Sequence, residues 1–170
     1  LIRVGAIRLK LGQLAQAEAS LRRAVERAAD LTRNRPHRPE FLLGLAEARI
    51  ELVGVYEAMG KPFQGDVGHR VGTSDGVIEF KRAAQGDRAS EAEREIFQAS
   101  RELASLRTAP PSAPLNRQRL AQAYGGLSNY LTKARHLPEA EEAMQSALSS
   151  WESLARDYPS ESVYRLGLAR

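Results

Sequence analysis

A block of this chain recurs 123 residues downstream without a gap. Lys10, Leu14, Ala17, Glu18, Ala24, Leu31, Arg33 and Pro36 return as Lys133, Leu137, Ala140, Glu141, Ala147, Leu154, Arg156 and Pro159, and Leu43-Gly44-Leu45-Ala46 returns as Leu166-Gly167-Leu168-Ala169. A third copy lies between them. Pro111 and Leu120-Ala121 recur 48 residues on, at Pro159 and Leu168-Ala169, and Ile2 and Gly12 recur at Ile50 and Gly60. The period is therefore 48, and the middle copy is longer by 27 residues. Periods of this size belong to stacked supersecondary units, each of which buries its apolar face only against its neighbours.

Composition narrows the chemistry. Cysteine is absent, which excludes disulfides, thiolate metal sites and thiol nucleophiles. No apolar run approaches the roughly 20 residues that a membrane helix needs, and no signal peptide is visible, so a cytoplasmic protein is expected. The repeat register puts Leu1 inside a first helix and Arg170 just past the start of another, so both ends are expected to continue in a longer protein. The net charge of +4 is uneven: residues 1–38 hold nine Lys/Arg against three acids. Such a basic end can attract nucleic acid or an acidic partner. No aromatic residues interleave those cations, so the stacking half of a single-strand binder is missing.

Each copy reads as two helices. In the third, 115–134 carries Leu120, Ala123, Tyr124, Leu127, Tyr130, Leu131 and Ala134 at three- and four-residue spacing, one apolar stripe. Arg135-His136 forms a turn, and Pro138 stands at the start of a second helix, where its missing N–H costs nothing. That helix buries Ala140, Met144, Ala147, Leu148, Trp151, Leu154 and Ala155 and stops at Tyr158-Pro159. In the first copy Gly12 ends a helix containing Val4, Ile7 and Leu11, and a second helix uses Leu14, Ala17, Leu21, Ala24, Val25, Ala28 and Leu31. The middle copy has helices over about 39–59 and 90–107, the latter with Ala92, Ile96, Ala99, Leu103 and Leu106 inward and a Ser90-x-x-Glu93 capping box.

These residues resemble the tetratricopeptide repeat. Its pattern packs a small residue of the first helix on an alanine of the second, followed by a large apolar residue and another alanine. The matching positions are Gly5, Ala17, Leu21 and Ala24 in the first copy, Val53, Ala92, Ile96 and Ala99 in the second, and Ser128, Ala140, Met144 and Ala147 in the third. The period of 48 exceeds the family's usual length of about 34. Long-period arrays with Leu-Ala-x-Ala-Tyr opening one helix and Glu-Ala-Glu the next look like those attached to bacterial multidomain serine/threonine protein kinases. None of the kinase motifs is present. The resemblance implies an all-α fold of antiparallel helix pairs stacked in a right-handed superhelix. The units are repeat 1 at 1–38, repeat 2 at 39–112 with an insert at about 63–88, repeat 3 at 113–162, and the start of a fourth at 163–170.

The insert holds five of the 13 glycines and reads as a loop, with a short helix expected over 77–85. Gly65-Asp66-Val67-Gly68-His69 lacks the Gly-Lys-Ser/Thr end of a nucleotide loop, and no strand precedes it. His37, His69 and His136 form no ligand pair, so no metal site is expected. Ser74-Asp75 near His69 lies in a loop with nothing to fix a triad. No catalytic residue, metal or cofactor is therefore expected.

What remains is a surface. In the family, first helices line a concave groove. Carried over by position, that groove presents Arg3, Ala6, Leu9 and Lys10, then Ile50, Glu51, Gly54 and Glu57, then Gly126, Asn129, Thr132 and Lys133. Asn129 matches a position used to clamp a peptide carboxylate, whereas Ile50 and Gly125 stand where lysine would help. The expected partner-binding residues are Arg3, Lys10, Glu51, Glu57, Asn129 and Lys133, and the expected function is a non-catalytic scaffold for a protein or peptide segment. The alternatives are a regulatory region of a bacterial serine/threonine kinase and nucleic-acid binding through the basic first repeat.

Overall fold

The computed structural model of the 170-residue chain describes residues 1–60, 91–107 and 110–168. Among them it forms seven helices: α1 (Ile2–Lys10), α2 (Leu14–Asn34), α3 (Pro39–Ala58), α4 (Glu91–Leu106), α5 (Pro114–Lys133), α6 (Leu137–Asp157) and α7 (Ser162–Leu168). No strand occurs among the described residues, and the fold is all-α. The insert at 63–88, including the glycine-rich stretch, His69, Ser74-Asp75 and the short helix expected at 77–85, lies outside the described residues. So does Ser90 of the expected capping box.

Each helix begins and ends for an identifiable reason. Pro39, Pro114 and Pro138 occupy the first turns of α3, α5 and α6, where an absent N–H leaves no bond unmade. The first helix of each repeat closes in the same way. After α1 and α3 the chain turns through Gly12 and Gly60 with φ of 71° and 70°. The Gln13 N–H then bonds to the Arg8 carbonyl at 2.9 Å, satisfying an acceptor left open by the helix end. After α5 the equivalent position is Arg135, with φ of 63°. Its turn closes identically, with the His136 N–H on the Leu131 carbonyl at 2.9 Å.

A side chain at positive φ crowds its own carbonyl, and glycine avoids this. Arg135→Gly is therefore expected to stabilise the chain by about 0.5–1 kcal/mol, after allowing for glycine's freer unfolded state. A urea titration of both proteins checks the sign.

Consecutive helices pack as antiparallel pairs. Gly5 of α1 sits against Leu21 of α2 so closely that an added Cβ would lie 2.5 Å from Leu21 Cγ. In the third copy Ser128 occupies the matching position, and its hydroxyl donates to the Ala140 carbonyl at 2.8 Å. Val53 fills that position in the second copy and is fully buried, as are Ala92, Ile96 and Ala99 of α4. One continuous apolar cluster runs from Ala17 and Leu21 through Leu52, Ile96 and Leu103 to Leu127 and Ala147. A smaller cluster joins Ala121, Trp151, Leu154 and Tyr164, bringing α7 onto the far end of α6. The first helices also touch one another, α1 on α3 and α3 on α5.

Two parts of the expected core are solvent-exposed. Met144 and Leu148 were expected inside α6 but are 43% and 39% exposed, and Leu31 of α2 is 42% exposed. Met144 is the equivalent of Leu21 and Ile96, both fully buried. The helix following α6 is α7, and it reaches only the Trp151 end. Val4, Ile7 and Leu11 of α1, also expected inside, are exposed as well.

Candidate functional site

The face shared by α1, α3 and α5 carries the six candidate residues. Glu57 and Lys133 come from neighbouring units and form a direct ion pair at 2.7 Å. Lys133 Nζ also lies over the Tyr130 ring, 5.3 Å from its centroid. Such a contact adds a modest cation–π attraction. Lys10 of α1 is close enough to Glu51 of α3 to favour its ionised form. Arg3 and Asn129 are exposed, and no contact among the described residues joins either to the other four. The structure thus brings Glu57 to Lys133 and Lys10 to Glu51, and leaves Arg3 and Asn129 open to solvent.

Two side chains on this face, Arg119 and Tyr130, were not among the six candidates. Arg119 of α5 grips Glu47 of α3 with both ends of its guanidinium, Nε meeting Oε1 at 2.9 Å, and also bonds Asn116 at 3.1 Å. Tyr130 packs over Gly54, where an added Cβ would come within 2.7 Å of the phenol oxygen. Burial, with Glu57 and Glu51 nearby, pushes the Tyr130 phenol up to about 12, so it keeps its proton at neutral pH. No sequence spacing announces a pair made across two helices 72 residues apart, such as Arg119–Glu47. Ile50 and Gly54 also depart from expectation. Both are buried between α3 and α5 instead of facing the groove, Ile50 Cγ2 lying 3.3 Å from where a Gly126 Cβ would stand.

The charges on this face are largely satisfied internally. Glu47 and Glu57 have cations from α5, while Glu51 has no ion pair among the described residues. Burial raises the Glu51 carboxyl above the usual carboxylate range, Glu47 adds to the rise, and Lys10 opposes it. A carboxyl with a raised folded-state pKa binds its proton more readily folded than unfolded. Ionised Glu51 therefore costs stability above that pKa, and the cost is relieved as pH falls toward the ordinary range near 4.3. Glu51→Gln is expected to be neutral or stabilising at pH 7. Thermal melts of both proteins between pH 7 and 4.5 should show the wild type gaining on the variant with acidification.

Two clefts lie elsewhere, between successive second helices. One, of about 650 Å³, is floored by Leu106, Leu120 and Tyr124 and walled by Arg107, Arg117 and the Ser146, Ser149, Ser150 and Ser153 edge of α6. Its polar groups are engaged: Arg107 pairs with Glu142, Arg117 bonds Ser153 at 2.6 Å and Asp157 at 2.7 Å, and Tyr124 donates to the Leu103 carbonyl at 2.7 Å. A second cleft of about 380 Å³ repeats the arrangement between α2 and α4, over Leu52 and Tyr56. Neither is lined by any of the six candidates. No group of three or more His, Asp or Glu among the described residues is arranged to hold a metal.

The basic first repeat is partly compensated. Arg22 donates to Tyr56 Oη at 3.2 Å and pairs with Glu18 at 2.8 Å and Glu91 at 3.3 Å, and Arg33 pairs with Asp30. No helix among the described residues is long and apolar enough to cross a membrane. No family model matches the chain, and neither the curated proteins nor the solved structures contain a significant match to it.

Proposed function

We propose that this chain is a non-catalytic scaffold of the tetratricopeptide type, with its helix pairs wound in a right-handed superhelix, that binds a protein or peptide segment along the α1–α3–α5 face. The observation that carries this reading is the side-by-side contact of the first helices from three successive units. Stacking of that kind makes a broad surface fixed before any partner arrives, so little ordering is lost on binding. The face is polar at its rim, through Arg3, Lys10, Glu57, Asn129 and Lys133, and the helices beneath it approach closely at Gly54 and Gly126. An extended segment fits such a surface through rim hydrogen bonds.

Selection of a random peptide display library on the immobilised chain tests the reading. Enriched peptides should lose at least roughly tenfold in affinity, about 1.4 kcal/mol, on Asn129→Ala or Lys133→Glu. They should be indifferent to Arg22→Glu, Arg23→Glu and Arg27→Glu. Steep salt dependence together with loss of binding in those arginine variants would transfer the function to the basic first repeat and to nucleic acid. Peptides that map onto the clefts between second helices would refute the groove.

A further inference from the structure

The cleft between α4 and α6 is open because the side chains that fill its counterpart are missing from it. The repeat offsets put Ser146, Ser149 and Ser150 of α6 at the positions of Gln98, Arg101 and Glu102 of α4, and Tyr124 of α5 at that of Arg49 of α3. In the earlier unit the Arg49 guanidinium reaches Glu102 at 2.8 Å and occupies the space. One unit on, three short serines and a phenol bonded to the Leu103 carbonyl leave a cavity of about 650 Å³ over Leu106 and Leu120. Small-molecule sites have this size. Every residue lining it lies between Leu106 and Ser153, so the ends of the sequence take no part in it.

The hydrogen-bonding pattern selects the occupant. The Ser146 hydroxyl donates to the Glu142 carbonyl at 2.9 Å, and Ser149 and Ser150 donate to the Ser146 carbonyl at 3.2 and 2.7 Å. Their protons are spent within the helix, so each oxygen has only lone pairs to offer. Donors come from the two arginines. Arg117 is held by Ser153 at 2.6 Å and Asp157 at 2.7 Å, with further N–H groups left over. Arg107 pairs with Glu142 through side chains that are both more than half exposed, a contact weak enough to share with a ligand. Because each guanidinium already faces a carboxylate, no excess of positive charge rewards an anion. The cleft suits a neutral molecule that gives and accepts hydrogen bonds along one edge and rests carbon on Leu106 and Leu120 along the other. We propose that it binds a neutral saccharide of one or two rings. A sugar hydroxyl donates as well as accepts, which matches serine oxygens beside guanidinium N–H groups, and the C–H face of the ring supplies the apolar side.

Saturation-transfer NMR and calorimetry with glucose, galactose, mannose, N-acetylglucosamine and their disaccharides test this. At least one of these sugars should bind saturably. Ser149→Leu and Ser150→Leu each remove an acceptor and fill the cavity with carbon, and each should weaken that binding by at least roughly tenfold. Ser149 is exposed and Ser150 half-buried, and unchanged circular dichroism confirms that each variant is folded. Ser150→Thr keeps the hydroxyl and should retain binding, and Asn129→Ala on the α1–α3–α5 face should leave it unchanged. Failure of every sugar in the panel to bind overturns the proposal, as does binding that survives both leucine variants. Tighter binding of glucuronate or inorganic phosphate than of any neutral sugar, lost in the same variants, would give the cleft to anions and overturn it as well.

Discussion

Arg49→Ala is expected to destabilise the chain by about 3 kcal/mol, the usual scale when one partner of a buried ion pair is removed. Arg49 lies between α3 and α4 and holds two carboxylates, Glu95 at 2.5 Å and Glu102 at 2.8 Å. All three side chains are largely withdrawn from water, Arg49 being 13% exposed and Glu102 14%. Burial raises the Glu102 carboxyl above its ordinary range even though the guanidinium opposes the rise, and Glu102 Oε2 has no hydrogen-bond partner among the described residues. Without Arg49, both carboxylates lose this ion pair, and the Glu95 charge beside Glu102 then raises the proton affinity of Glu102 with less to oppose it. The loss is therefore expected to be pH-dependent in a definite direction. Glu102 holds its proton more tightly in the folded variant than in the unfolded one, so stability falls as pH rises through its folded pKa. Urea titrations at pH 7 and pH 5 should show the variant recovering part of its deficit at the lower pH. A variant that loses little at pH 7 would mean that water already solvates the triad. Arg49→Met with Glu102→Leu, replacing charge by apolar volume, should recover most of the stability.

How much of this was legible in the sequence depends on the range of the interaction. The repeat offset and the apolar spacing located the helices to within a residue or two, because each copy punctuates itself with the same signals, Gly12 and Gly60 at one turn and Pro39, Pro114 and Pro138 at helix starts. Small residues that let helices approach were also visible, since Gly5, Ala17 and Ala140 stand at fixed spacing. Which members of an apolar stripe are covered was not visible. Met144 and Leu148 continue the stripe of α6 faultlessly, but their burial depends on a neighbouring helix that does not reach them. Ion pairs across the stack were equally hidden. Glu47–Arg119 and Arg49–Glu102 join residues 72 and 53 apart, and their register follows only from the finished packing. Of the candidate groove, the sequence supplied Glu57 and Lys133 as separate members of one face, and the structure supplied their pairing and the Tyr130 ring beneath them.

The repeat register also makes a prediction that ordinary hydrophobicity does not. Ile96 and Met144 occupy equivalent positions on α4 and α6, both are large and aliphatic, and both lie one turn after a buried alanine, Ala92 and Ala140. Truncation to alanine should nevertheless affect them very differently. Ile96 is fully buried between α3, α4 and α5, so Ile96→Ala removes methylene contacts and leaves a cavity that the stack cannot collapse around. The expected cost is about 3 kcal/mol. Met144→Ala, made at a side chain 43% open to solvent, should cost under about 1 kcal/mol. The comparison is made by urea unfolding of both variants beside the wild type. Equal costs would mean that Met144 is packed as tightly as Ile96, and burial would then not be what separates the two positions.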